Sequence, residues 1–215
     1  MKQLLQALEI RVTLAQEGRA ELEEKKSVFI GHAKPVTTEE DALAYIKEQK
    51  RSYPDARHNV WAYRLQGDVV MRCSDDGEPQ GSAGVPVLDA IRKSCVSDAV
   101  VVVTRYFGGI LLGAGGLVRA YSRAAKLAID AAQIVTCEPF CDLALTCSYA
   151  DYQRYLAELP KFGATSPGAD FAEQVRMKIC LRKAVLPDFV DRVREMSSGA
   201  DRPEVIGERF DICRN

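Results

Sequence analysis

The sequence predicts a two-domain α+β protein, and three observations carry that expectation. A β-branched run, AVVVVT, is apolar on both faces and reads as a central strand. It leads through a glycine-rich segment into LVRAYSRAAKLAIDAA, the strongest helical pattern in the chain. From about residue 142 two β-α-β halves follow in the order of a ferredoxin-like βαββαβ sandwich.

Residues 1–18, beginning MKQLLQALEI, read as an amphipathic N-terminal extension outside either domain. The first domain is expected over residues 19–136. It opens with two extended segments, AELEEK and SVFIGHA, followed by a helix signalled by TTEEDALAYIKEQK. Thr38 suits the N-cap, Glu39, Glu40 and Asp41 suit the positive end of the helix dipole, and Ala42, Leu43, Tyr45 and Ile46 supply its buried face. NVWAYRL alternates like a half-buried strand, Gly67 and Asp68 mark a turn, and VVMRC is its hairpin partner. SDDGEPQGSAGVP carries too much turn chemistry for regular structure, and the helix VLDAIRKS precedes the central strand. The alanines at 120, 124, 128 and 131 predict a helix that lies close to a sheet. Cys137 to Phe140 form the candidate linker. The second domain, 140–215, follows as strand LALTCSY, helix DYQRYLAEL, extended segments around Phe171 and RMKICLR, helix LPDFVDRVREM and strand PEVIGERFDI.

Composition narrows the function. Twenty-nine basic against 30 acidic residues, a net charge of −1, exclude a polycationic coat for nucleic acid. With 47% hydrophobic residues the chain can bury a core. No apolar run approaches a membrane span, and the N-terminus lacks a small-residue cleavage site, so a soluble cytoplasmic protein with no membrane partner is expected. Seven cysteines without a CxxC pair imply reduced, buried thiols; no metal and no cofactor is expected.

Two segments hold candidate chemistry. In RYFGGILLGAGG, five glycines precede a helix N-terminus, where free N–H groups of Gly115, Gly116 and Leu117 suit an anion. No standard nucleotide motif fits: GxGxxG from Gly113 meets Val118, and no GK[ST] closes a P-loop. Between Asp98 and Asp130 there is no acid, whereas Arg105, Arg119, Arg123 and Lys126 all fall there. Tyr106 and Phe107 adjoin Arg105, and aromatic rings beside arginine can stack on unpaired bases, one ring facing inward and one outward. The acidic turn, with Asp75, Asp76 and Glu78, fits neither an EF-hand nor, at Ser82, a nucleophile elbow. Its carboxylates suit turn capping, or pairing with Arg57 or Arg105; His58 is the histidine that folding would bring nearest.

The blocks KKSVFIGHAKPV, DARHNVWAYR, RCSDDGEPQGSAGVPVLDAI and VVVVTRYFGGILLGAGGLVRAYSRAA resemble the YigZ/IMPACT family over roughly residues 20–135. Residues 142–215 resemble more loosely the C-terminal domain of its bacterial members. The resemblance implies an IMPACT-type N-terminal domain with a ribosomal-protein-S5-domain-2-like fold, similar to domain IV of elongation factor G, and a second domain similar to domain V of that factor. Its signature falls on Asp75, Asp76, Gly77, Glu78, Pro79, Gly81, Gly84, Arg105, Tyr106, Gly108, Gly109, Gly113, Gly116 and Arg119. Val28 stands where a basic residue is common, and Gln80 where a small polar one is usual. Bacterial members have no established activity. Eukaryotic relatives bind a ribosome-associated regulator and restrain a kinase that phosphorylates an initiation factor; the extra N-terminal domain they carry is not expected in this chain, so that interaction is not expected to transfer.

The expectation is a non-catalytic, translation-associated regulator binding RNA or a ribosomal surface through Arg105, Tyr106, Phe107, Gly108, Gly109, Gly113, Gly115, Gly116, Arg119, Arg123 and Lys126. DNA is not expected as a partner, and the oligomeric state is open. The alternatives are an enzyme acting on a small phosphorylated ligand or nucleotide, and a pure protein-interaction module.

Overall fold

The computed structural model describes residues 10–66 and 68–212, and the chain divides into two compact units, one of residues 11–136 and one that includes residues 137 onward. In the first, β2 (Gly18–Glu24), β3 (Ser27–Pro35), β4 (His58–Leu65), β5 (Val70–Ser74) and β6 (Ala99–Tyr106) form a sheet in the order β2-β3-β6-β4-β5, antiparallel throughout. The β-branched run is the central strand. Both its faces are covered, which explains why it lacks alternation. Val101 and Val103 join a core with helices α2 (Gly84–Lys93) and α3 (Ala114–Ala131), while Val100 and Val102 meet α1 (Glu39–Ser52) on the other side. Each fully buried valine contributes about 1.5–3 kcal/mol relative to exposure.

Local chemistry sets the helix boundaries. The Thr38 hydroxyl accepts from the Asp41 N–H, as expected of an N-cap. Leu43, expected in the buried face of α1, is 48% exposed; Gln49 is buried instead, one turn beyond Tyr45. Helix α3 lies very close to the sheet because Ala124 and Ala128 face strands that carry Gly18 and Gly31 opposite them. A Cβ on Gly31 would come 2.6 Å from the Ala124 carbonyl oxygen. Ala131 points outward, and Ala132 takes its place in the core.

The N-terminal extension expected over residues 1–18 is partly structure. Residues 1–9 lie outside the described residues, but Arg11–Leu14 form β1, Leu14 is buried in the first unit's core, and Ser97 N–H donates to the Val12 carbonyl at 2.8 Å. Residues 137–140 are not a linker. They belong to the long β7 (Ile134–Cys147) and pair with β10 (Glu204–Ile212), Cys137 opposite Ile212 and Phe140 opposite Arg209. The pairing register with β10 runs through Pro139 without a shift, because a ladder tolerates proline where its missing N–H is not needed.

In the second unit α4 (Tyr149–Glu158), β8 (Thr165–Phe171), β9 (Val175–Arg182) and α5 (Leu186–Met196) complete the sequence β-α-β-β-α-β, with strands in the order β10-β7-β9-β8. Cys141, Leu143, Leu145, Met177, Ile179 and Leu181 form one buried face against Tyr155, Phe189 and Val193 of the helices. This is the ferredoxin-like arrangement. Of the six described cysteines, all free, Cys137, Cys141 and Cys147 are buried as expected, whereas Cys95 is exposed at the turn after α2. No helix among the described residues is long and apolar enough to cross a membrane.

Candidate nucleic-acid interface

One end of the first sheet gathers the segments that sequence singled out. Val28 pairs with Tyr106, and Phe29 with Arg105, which also faces His58, so the start of β3, the end of β6 and the start of β4 lie together. Three connections emerge there: the Lys25–Lys26 turn, the acidic turn after β5, and the glycine loop between β6 and α3.

The acidic turn is a scaffold. Asp75 accepts from the N–H groups of Gly81, Ala83 and Gly84 at 2.8, 3.0 and 2.8 Å, thereby fixing the turn and capping α2. Burial alone would raise its carboxyl, but those N–H groups of Gly81, Gly84 and Ala83 hold it below the ordinary value of 3.8. Asp76 accepts from Lys50 Nζ on α1 and from the Asn59 N–H, both at 2.6 Å, and its carbonyl accepts from His58 Nδ1 at 2.9 Å. Gly77, at φ +88°, sits over the His58 ring, where a Cβ would touch Nδ1 at 3.4 Å. Glu78 is buried and accepts from Arg105 Nη1 at 2.6 Å and from the Tyr121 hydroxyl of α3 at 2.8 Å. Burial and the Glu78 carboxylate push the Tyr121 phenol well up, so it stays a donor. Ser82 is buried, its hydroxyl donating to the Pro79 carbonyl at 2.6 Å.

Arg105 therefore leaves the expected anion surface. Its side chain is 8% exposed, paired with Glu78, and flanked by the Phe29 and Phe107 rings at 5.5 and 5.6 Å. Strand alternation puts odd-numbered β6 residues on the α2/α3 side of the sheet, where an arginine needs a carboxylate. The pairing with Arg105 is the one that sequence offered as an alternative for the acidic turn. Tyr106, on the opposite face, donates to Asp55 at 2.8 Å and is half-buried. Phe107 points outward, 50% exposed. Lys126 is exposed but paired with Asp130 one turn on. Leu117 N–H is not free either, since it closes the first turn of α3 onto the Gly113 carbonyl.

What remains exposed is compact. Gly113, at φ +71°, is the N-cap of α3 and provides no side-chain cap, so the N–H groups at Gly115 and Gly116 belong to an uncapped first turn without acids. Arg119 folds back toward Gly115, and Arg119 and Arg123 stand one turn apart. Both line a cavity of about 200 Å³ whose other walls include Gly116, Leu112, Glu24 and Lys25. Gly108 closes the loop onto the neighbouring turn: its N–H meets Ser27 Oγ at 3.2 Å, and a Cβ there would overlap the Lys26 carbonyl. Gly109, at φ +84°, faces open space. Lys25 was missed by sequence reasoning, although EEKK between two extended segments is the signal of an exposed turn.

The comparisons with known proteins agree with this layout. Residues 25–129 match the Impact N-terminal domain and residues 145–200 a Domain of unknown function (DUF1949). The chain is 46% identical over 112 residues to IMPACT family member YvyE of Bacillus subtilis, a match spanning 52% of each chain. It is 33% identical over 179 residues to IMPACT family member YigZ of Escherichia coli, covering 82% of this chain and 88% of that one. A crystal structure of a hypothetical protein superposes with a TM-score of 0.62 at 30% identity, covering 92% of this chain and 98% of the other. The two domain matches, the near full-length likeness to YigZ and the signature residues assembled at one sheet end establish that the chain belongs to the IMPACT family.

Proposed function

We propose that this protein is a non-catalytic, translation-associated regulator that binds RNA by its phosphates, through the cavity between α3 and the Lys25–Lys26 turn. The observation that carries this reading is the pair Arg119 and Arg123. Both are exposed, neither forms an ion pair among the described residues, and Lys25 stands across from them in the same cavity. Glu24 shares the cavity, so the balance there is three cations to one anion. A site of that charge and size suits a phosphate group, with the α3 N–H groups adding to the attraction. Eukaryotic relatives in the family act on translation, which makes ribosomal RNA or an RNA-bearing complex the natural context.

The geometry counts against the enzymatic alternative. Magnesium held by Asp76 or Glu78 would have to displace Lys50 or Arg105, and each displacement leaves a charge unpaired. The proposal is tested by affinity capture of the tagged protein from lysate, with and without ribonuclease. Ribosomal RNA and proteins should co-purify and be lost after nuclease treatment. Nuclease-resistant capture of the same proteins would support the interaction-module reading instead.

A further inference from the structure

The glycine loop is apolar where it is most exposed. Phe107, Ile110 and Leu111 are 50%, 43% and 82% exposed, while Leu112 turns inward and anchors the loop against α3. Large apolar side chains in such positions are costly in water and call for an occupant. The loop shape limits what that occupant is. A residue 82% exposed stands on a projection, and an amphipathic helix from a partner needs a groove to lie in.

A projecting apolar tip beside unpaired cations matches a different recognition mode, in which side chains enter between bases that have lost their stacking partners. One face of the Phe107 ring is taken by the Arg105 guanidinium, which is itself held by Glu78, so the ring is a fixed platform. The chain leads from that platform through Ile110 and Leu111 to Gly113, and Arg119 folds back over the first turn of α3. Charge complementarity therefore places phosphates at Arg119, Arg123 and Lys25, with the neighbouring bases meeting the loop.

Building on the phosphate-binding reading above, we infer that the site selects unpaired RNA: Phe107 stacks on one base and Leu111, with Ile110, wedges beside it, while a duplex is rejected because its bases are already stacked. The loop acts as a wedge rather than as a protein-docking knob. Its glycines, with Gly109 and Gly113 at positive φ, allow the tip to project without bringing side chains between it and the RNA.

The test is fluorescence anisotropy with an unstructured labelled RNA strand and with the same strand annealed to its complement. The full-length protein should bind the single strand about tenfold more tightly, the scale of one good base–aromatic stack. The Ile110→Gly/Leu111→Gly variant and, separately, Phe107→Ala should lose that preference, each by about tenfold on the single strand, while the salt dependence of binding stays as in the parent. Both sites are exposed, and an unchanged thermal transition confirms that the variants fold. Salt-dependent binding with equal affinity for strand and duplex, or loop variants that bind as the parent does, would overturn the wedge and leave phosphate binding standing. Failure to bind either form at any salt would overturn both.

Discussion

Asp75, Asp76 and Glu78 lie within four residues, yet each carboxylate has its own set of partners: backbone N–H groups, Lys50 with Asn59, and Arg105 with Tyr121. The Arg105–Glu78 pair matters most for stability, because both side chains are under 10% exposed. Removing one partner leaves the other charge buried and uncompensated. Glu78→Ala should therefore destabilise the first unit by about 3–5 kcal/mol. Trp61 is the single tryptophan and belongs to this unit, so its fluorescence through a denaturant titration reports the loss directly. A midpoint that does not move would mean the pair is worth no more than a surface contact. Sequence offered Arg105 both as an anion ligand and as a partner of the acidic turn. The choice depended on which side of β6 faces the helices, a fact set by register with β3 and β4 and invisible in the segment itself.

At the scale of elements, the acidic turn takes the place of a conventional cap for α2. Ala83 stands at the N-cap position with no side-chain acceptor, and Asp75 reaches it from eight residues upstream. The carboxyl is depressed in the folded state, so its contribution is complete above the ordinary value of 3.8 and lost as pH falls through the lower folded value. Acid titration of the Trp61 transition should show this loss in the parent. Asp75→Asn should be less stable at neutral pH by about 1–2 kcal/mol and lose less on acidification. Equal acid slopes would contradict the assignment. The elements themselves were readable from sequence because their periodicity and caps are local: Thr38 and the βαββαβ order needed nothing remote, while Gly67 of the expected turn lies outside the described residues. The strand at Arg11–Leu14 and the pairing of Cys137–Phe140 were not readable, since both gain their structure from partners far along the chain. A run of four residues such as RVTL is too short, and a segment containing proline too interrupted, to carry much strand signal of its own.

For the whole molecule, a net charge of −1 conceals segregation. The acids of the signature are used internally, and the acid-free stretch from 99 to 129 leaves Arg119 and Arg123 exposed beside Lys25. Of the four cations sequence assigned to the interface, Arg105 serves the core and Lys126 is matched by Asp130. The proposed site is therefore smaller than the surface the sequence suggested. It commits the account to a few phosphate contacts, not to a broad electrostatic surface.

The most direct measurement is the slope of log affinity against log salt for single-stranded RNA, taken for the parent, for Arg119→Ala/Arg123→Ala and for Lys126→Ala. If each arginine neutralises one phosphate, the double variant should bind more weakly and its slope should fall by about 1.4, whereas Lys126→Ala should leave the slope nearly as it was. A double variant with the parent's affinity and slope would contradict the account, and the glycine loop and α3 would no longer be its binding surface.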